Sequence, residues 1–197
     1  MEQQSGWTVC VYCASSGSCD PVYHEAASLL GESLAAAGCT IVYGGSRNGS
    51  MGALANGALS KGGRVVGVLP RFLQQLEIEH ASLSELHIVD DMRMRKHRML
   101  THSDAVVALP GGCGTFEELL EAISLKRLGL YLGPIIIVNV RDYYAPLLAL
   151  LNAAVDEKFM APKHRDMWTV VDRPDEVLPA MKAAPRWSES SLKFAVL

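Results

Sequence analysis

The chain has 197 residues, of which 49% are hydrophobic and 20% charged, and its formal net charge is −3. This size and apolar content favour one packed α/β domain over two, and the balanced charge excludes a surface built for nucleic acid. No window approaches the roughly 20 apolar residues that span a bilayer, and the odd number of cysteines suits a reducing compartment. We therefore expect a cytoplasmic protein.

Short apolar runs alternate along the chain with longer segments of helical periodicity. Several of these runs, such as Ile135–Val138, are apolar without alternation, which indicates parallel strands covered on both faces. The predicted strands are Thr8–Ala14, Thr40–Tyr43, Arg64–Leu69, Glu85–Val89, Ala105–Leu109, Pro134–Val138 and Trp168–Val171.

The intervening segments predict helices with recognisable ends, such as Asp20 as an N-cap before Pro21 and Gly38 after the first helix. The pattern indicates an α/β fold, a single-domain Rossmann-like doubly wound sheet of about seven mostly parallel strands. Residues 1–183 are expected to form this domain and residues 184–197 a C-terminal tail, and Pro70–Ser84 is expected to form a loop or short helix at the sheet edge. The predicted helices are Pro21–Ala37, Ser50–Lys61, Met92–His102, Thr115–Leu128, Tyr144–Glu157 and Pro174–Ala183.

A glycine-rich turn joins the fifth strand to the fourth helix. Such a turn directs backbone N–H groups and the positive helix end at an anion, and a Thr115 hydroxyl can cap the helix. Positive φ angles at its glycines would allow close approach of a phosphate. The turn is neither a Walker A motif nor G-x-G-x-x-G, and glycines that only make a turn are the alternative. The loop consists of Pro110, Gly111, Gly112, Cys113, Gly114 and Thr115.

Two further loops of small residues follow strands and are expected at the same carboxyl edge of the sheet. One contains Ser15 after the first strand, and the other begins with Gly44 and Gly45 after the second strand. Ligands bind at this edge of open parallel sheets, so the three loops together predict one shared site. Taken alone, either of these two turns is more typical of a structural role.

The third helix carries a basic stretch between Met92 and Met99. For Arg93 and Arg98 a solvated face is the simpler interpretation, whereas Arg95 and Lys96 are candidates to lie beside a phosphate or leaving group. Composition alone leaves these alternatives open.

Three carboxylates, Glu117, Glu118 and Glu121, follow the glycine loop. Their attraction to the positive helix end is enough to explain them. Glu118 and Glu121 nevertheless stand three residues apart and are expected to share a face. A carboxylate on that face would hold ribose hydroxyls or activate water.

The segment Pro110–Glu118 fits the pattern PGGxGTxxE, and Met92–Met99 fits Met-x-x-Arg-Lys-x-x-Met. On these motifs, supported by Asn139 and Tyr143–Tyr144, the chain resembles the Lonely Guy family of cytokinin riboside 5′-monophosphate phosphoribohydrolases. Ser46 departs from the family pattern, where a glycine is common, and this bears on base preference more than on chemistry.

The resemblance implies hydrolysis of an N6-modified adenosine monophosphate to the free base and ribose 5-phosphate, with Arg95 and Glu118 as catalytic residues. It also implies no metal, no organic cofactor and a homodimer. The expected substrate-binding residues are Ser15, Gly44, Gly45, Met92, Lys96, Pro110, Gly111, Gly112, Cys113, Gly114, Thr115 and Glu121.

Other functions compete with this hypothesis. The same scaffold would suit a protein that binds a nucleotide or molybdopterin without hydrolysing it, or a general purine-nucleotide nucleosidase. A pyridoxal-dependent decarboxylase needs a Schiff-base lysine, whereas Lys61 and Lys126 are expected on helix surfaces. A zinc site at Cys10 and Cys13 is disfavoured because these strand residues are expected to point to opposite faces.

Overall fold

A computed structural model describes residues 6–74 and 79–188. Its single sheet has seven strands in the order β4-β3-β2-β1-β5-β6-β7, and every neighbouring pair is parallel. The predicted doubly wound α/β fold is confirmed. The strands are β1 (Thr8–Tyr12), β2 (Thr40–Tyr43), β3 (Arg64–Pro70), β4 (Glu85–Val89), β5 (Ala105–Ala108), β6 (Ile135–Val138) and β7 (Thr169–Val171).

Helices cover both faces of the sheet, as the apolar strands require. Helices α1, α2 and α6 pack on one face, and α3, α4 and α5 pack on the other. Residues of β1 alternate between the two cores and Cys13, directly after the strand, continues the alternation, so Cys13 lies in the first core and Cys10 in the second. Their thiols therefore cannot share a metal. The helices are α1 (Pro21–Ala36), α2 (Gly49–Ser60), α3 (Met92–Thr101), α4 (Cys113–Arg127), α5 (Ala145–Asp156) and α6 (Val177–Ala183).

Helix α4 begins earlier than predicted. Gly112 is its N-cap, and the backbone N–H of Phe116 donates to the Gly112 carbonyl at 3.0 Å. Thr115 is therefore the third helical residue, and the prediction that its hydroxyl caps the helix is wrong. The chain enters the helix directly from the glycine pair, which leaves the first-turn N–H groups of α4 at the end of β5.

The connection between β3 and β4 contains a short 3₁₀ turn at Arg71–Leu73, in agreement with the predicted loop or short helix. Its residues 75–78 lie outside the described part of the chain. Before α6, Pro174–Glu176 also forms a 3₁₀ turn, so the regular helix starts at Val177 rather than Pro174.

The prediction that Lys126 lies on a helix surface is wrong, because the residue is buried at the end of α4. Only 1% of it is exposed, and its Nζ donates to the Gly133 carbonyl at 2.7 Å. The Trp187 ring lies 5.9 Å from this Nζ, and burial lowers the pKa of Lys126 to about 8. Trp187 belongs to the predicted tail, and the limit between domain and tail stays a prediction.

Within residues 6–74 and 79–188, no helix combines the length and the apolar character needed to cross a lipid bilayer.

Candidate active site

A cleft opens at the carboxyl edge of the sheet, between the loops that follow β1 and β5. These strands are neighbours at the centre of the sheet, and their chains continue toward helices on opposite faces, which is where open α/β sheets bind ligands. The cavity has a volume of about 230 Å³. Its lining comes from the loop after β1, from α2 and α3 and from the start of α4. The lining residues include Cys13, Ala14, Ser15, Ser16, Met51, Met92, Arg95, Gly112, Gly114, Thr115 and Glu118.

Glu118, in the second turn of α4, is the buried carboxyl group of this cleft. Only 5% of the residue is exposed. Burial raises its pKa from the ordinary 4.5 to about 7, and the positive charge of Arg95 opposes this rise. At neutral pH both the protonated and the ionised carboxyl are therefore populated, which suits a group that exchanges protons during a reaction.

Arg95 brings a buried positive charge to the same cleft. The residue is 4% exposed, and its Nη2 donates to the Gly44 carbonyl at 3.4 Å while Nη1 lies 3.8 Å from the sulfur of Met92. Among the described residues, its Nε has no hydrogen-bond partner. A buried guanidinium with such weak neutral acceptors is suited to bind an anion.

Gly44 permits this position of Arg95. A Cβ atom built on Gly44 would lie 2.0 Å from Nη2 of the arginine, so any larger residue would displace the guanidinium. Gly45 next to it has a φ of 82°, and neither Gly44 nor Gly45 belongs to the cleft lining. Ser46 is fully buried in that turn and likewise lies outside the cleft lining.

The glycines of the loop act differently from the prediction. Positive φ angles are found elsewhere in the described residues, but not at Gly111, Gly112 or Gly114, because the chain passes directly into helix α4. A Cβ on Gly111 would come within 2.2 Å of the Thr115 hydroxyl oxygen. On Gly112 or Gly114 it would meet no atom within 4 Å, and both residues line the cleft. The missing side chains thus leave space at the positive end of α4.

Lys96 and Glu121 lie outside this cleft. The Lys96 ammonium pairs with Glu117 and, at 3.1 Å, with Glu121, and Lys96 and Glu121 line a separate cavity of about 500 Å³. Of the two carboxylates three residues apart on α4, Glu118 is buried in the cleft, whereas Glu121 is half-buried and lines the other cavity. Arg93 and Arg98 are exposed, as the simpler interpretation of the basic stretch predicted.

Two tyrosine hydroxyls hold the glycine loop and the residue before it by hydrogen bonds. The Tyr144 hydroxyl donates to the Leu109 carbonyl at 2.7 Å, and the Tyr143 hydroxyl donates to the Gly111 carbonyl. Asn139 accepts from the Tyr144 backbone N–H at 2.7 Å and holds the start of the α5 segment in place. In the sequence only the family resemblance marked these residues, and nothing in their local pattern indicated a contact with the loop.

The structure thus brings together Arg95, Glu118, Ser15, Met92, Gly112, Gly114 and Thr115. Pro110 and Gly111 line an adjoining cavity of about 190 Å³, and Cys113 is exposed at the first position of α4. Met51 and Cys13 also line the cleft, although neither was expected there. Among the described residues, no three His, Cys, Asp or Glu side chains are arranged to hold a metal ion.

The fold and this cleft define a doubly wound α/β protein with a buried carboxyl and a buried arginine beside a helix N-terminus. Residues 51–181 match a family model described as "possible lysine decarboxylase". A cytokinin riboside 5′-monophosphate phosphoribohydrolase from Rhodococcoides fascians is 42% identical over 80% of this chain and 80% of its own length. One from Arabidopsis thaliana is 41% identical over 80% and 74%. The chain belongs to this family, which is the Lonely Guy family.

Solved structures with the same fold include proteins of another name. A molybdenum cofactor binding protein from Rippkaea orientalis superimposes with a TM-score of 0.69 at 19% identity, over 90% of this chain and 96% of that one. At this identity the likeness is one of fold, and the cleft itself has to indicate the chemistry.

Proposed function

We propose that the protein hydrolyses the N-glycosidic bond of cytokinin riboside 5′-monophosphates, releasing the free N6-modified adenine and ribose 5-phosphate. The observation that supports this most directly is the buried Glu118 facing the same cleft as Arg95 and the glycine loop. The names of relatives at about 40% identity support the reaction and the modified base.

The 5′-phosphate is proposed to bind at the N-terminus of α4. The space left by Gly112 and Gly114 admits the phosphate to the first-turn N–H groups, and the partly buried Ser15 lies on the facing loop. Such a site binds an anion without a metal, because the helix end and its N–H groups supply the positive potential. The nucleotide is thereby held with its ribose near Glu118.

Cleavage of the glycosidic bond develops positive charge on the ribose and negative charge on the departing base. In the proposed mechanism ionised Glu118 stabilises the ribosyl cation and orients or deprotonates the attacking water. Arg95 stabilises the phosphate or the leaving base. The pKa of Glu118 near 7 suits a base that accepts a proton from water during turnover.

The proposal is tested by separating the reaction products by chromatography. The substrates are the mono-, di- and triphosphates of adenosine and of N6-isopentenyladenosine, together with the two unphosphorylated ribosides. We expect base release from the monophosphates, fastest for the N6-modified form. Equal rates with plain AMP would indicate a general purine-nucleotide nucleosidase. Return of intact nucleotide would indicate a binding protein.

Variants of the two buried charged residues test the assigned roles. Glu118→Gln is expected to lower kcat by about 10²–10⁴-fold, and Arg95→Ala to lower kcat/KM by about 10²–10³-fold. Glu157→Gln and Arg93→Ala change exposed residues of the same types and are expected to retain activity. Near wild-type turnover by Glu118→Gln would contradict its catalytic role.

We further propose that the protein is a cytoplasmic homodimer. Exposed leucines near the end of α4 support an interface there, with Leu130 71% exposed and Leu128 and Leu132 each 40% exposed. Sedimentation equilibrium is expected to give twice the chain mass, and a monomer at micromolar concentration would contradict this part of the proposal.

A further inference from the structure

A second cavity adjoins the catalytic cleft on the far side of Gly112. It has a volume of about 190 Å³, and Ala14, Ser16 and Gly112 line both cavities. Its other walls include Gly111, from the glycine loop, and Cys19. A chemical change at Cys19 would therefore reach the loop that is proposed to hold the 5′-phosphate.

Cys19 has a histidine as its partner. Its sulfur lies 3.3 Å from Nε2 of His24, one turn into α1, and both side chains are half-buried. The thiol also lies 3.8 Å from the Ser16 carbonyl. A thiol within hydrogen-bond distance of an imidazole has the geometry of a nucleophile beside a general base.

The other cysteines of the chain differ from Cys19 in exposure or in partner. Cys10, Cys13 and Cys39 are buried, and burial raises the pKa of each thiol, which makes these residues poor nucleophiles. Cys113 is exposed at the first position of α4. The described contacts give it no histidine partner, so it serves as the internal comparison for Cys19.

We propose that Cys19 is a site of reversible oxidation by hydroperoxides, and that oxidation there hinders binding of the phosphate by the glycine loop. The thiol proton passes to His24, and the thiolate attacks one peroxide oxygen. The new S–O bond forms as the O–O bond breaks, and the departing hydroxide takes the proton and leaves as water. Sulfur is oxidised by two electrons to sulfenic acid and the peroxide is reduced.

The oxidised sulfur carries an additional oxygen into the small cavity whose wall Gly111 and Gly112 form. When the sulfenic acid loses its proton the sulfenate is negative, and it lies in the cavity that adjoins the proposed phosphate site. Repulsion between two anions at one helix end makes oxidation and phosphate binding compete. This competition rests on the proposed function, whereas the reactivity of Cys19 does not.

The reactivity is tested by treating the whole protein with hydrogen peroxide and a dimedone-type trap, and reading each cysteine by peptide mass spectrometry. We expect trapping at Cys19 before Cys113, loss of that label in Cys19→Ser, and slower labelling of Cys19, but not of Cys113, in His24→Gln. Preferential trapping at Cys113, or a His24→Gln variant labelled at the wild-type rate, would overturn the proposal.

The coupling is tested with inorganic phosphate, ribose 5-phosphate and the activity assay. Phosphate and ribose 5-phosphate are expected to slow labelling of Cys19. Peroxide treatment is expected to raise the KM for the nucleotide by about tenfold, which corresponds to about 1.4 kcal/mol of binding energy. Dithiothreitol should restore the KM, and Cys19→Ser, compared with its own untreated activity, should resist peroxide. Labelling of Cys19 without protection and without a change in KM would refute the coupling. An untreated protein that releases no base would instead refute the proposed function, while the labelling result stands.

Discussion

Replacement of Glu118 by glutamine provides a thermodynamic test of the buried carboxyl that is independent of turnover. The substitution keeps the shape of the side chain and removes its ionisation. In the folded protein burial raises the pKa of Glu118 from 4.5 to about 7, against the attraction of Arg95. The neutral acid, which glutamine resembles, is therefore the form that the fold prefers.

The sign and size of the effect follow from proton binding. Between pH 4.5 and about 7 the folded wild-type protein holds a proton on Glu118 that the unfolded chain has released. Its stability therefore decreases as the pH rises through this interval and levels off above it. At about 1.4 kcal/mol per pH unit, ionisation of Glu118 lowers the free energy of unfolding by about 3 kcal/mol.

Urea unfolding of both proteins between pH 4 and 9 measures this contribution, since titrating groups that do not interact with Glu118 cancel in the difference. We expect the two free energies of unfolding to differ by a constant amount below pH 4.5. Above pH 7.5 this difference should have shifted by about 3 kcal/mol in favour of Glu118→Gln, because only the wild-type protein loses stability on ionisation. A difference that does not change with pH would refute the raised pKa, and Glu157→Gln should show no such gain.

Two further changes test the glycine loop and the buried lysine. Gly112→Ala places a methyl group where no protein atom lies within 4 Å, and it should raise the KM for the nucleotide at least about tenfold. Because Gly112 is the N-cap of α4, a position where glycine is preferred to alanine, the free energy of unfolding should fall by no more than about 1 kcal/mol. Gly17→Ala, also in open space but outside the cleft lining, should leave KM unchanged. The pKa of Lys126 is lowered from 10.5 to about 8, so between these pH values the unfolded chain holds a proton that the folded protein has released. The free energy of unfolding of the wild type should therefore rise by about 3 kcal/mol over this interval. Urea unfolding of Lys126→Met should not show this rise.

The sheet could be predicted because its strands are almost purely apolar. Runs such as Ile135–Val138 have no polar face, so only a sheet covered on both sides buries them, and the structure has that arrangement. The start of α4 could not be predicted to the residue. Glycine and threonine suit both a loop and a first helical turn, and only the hydrogen bond from Phe116 to Gly112 decides between them.

For the candidate site, sequence patterns identified the elements but not the direction of each side chain. Arg95 and Lys96 are neighbours with the same charge, yet Arg95 points inward beside Gly44, whereas Lys96 pairs with Glu117 and Glu121. Lys126 was assigned to the surface because Gly133 and Trp187, which enclose it, both lie outside helix α4 and its periodic pattern. Contacts of this kind depend on packing between elements, which the local pattern of a helix does not contain.

The presence of both Arg95 and Glu118 in one cleft also bears on the choice between hydrolysis and binding. A protein that only held a nucleotide would gain from Arg95, but a carboxyl buried in the same cleft opposes an anionic ligand and, with its raised pKa, lowers stability at neutral pH. Binding alone gives no reason for such a group. Charge development on a ribose does, because a carboxylate shielded from water stabilises a cation that exists only during bond cleavage. The unfavourable burial of Glu118 is therefore more consistent with a hydrolase than with a carrier of the same fold.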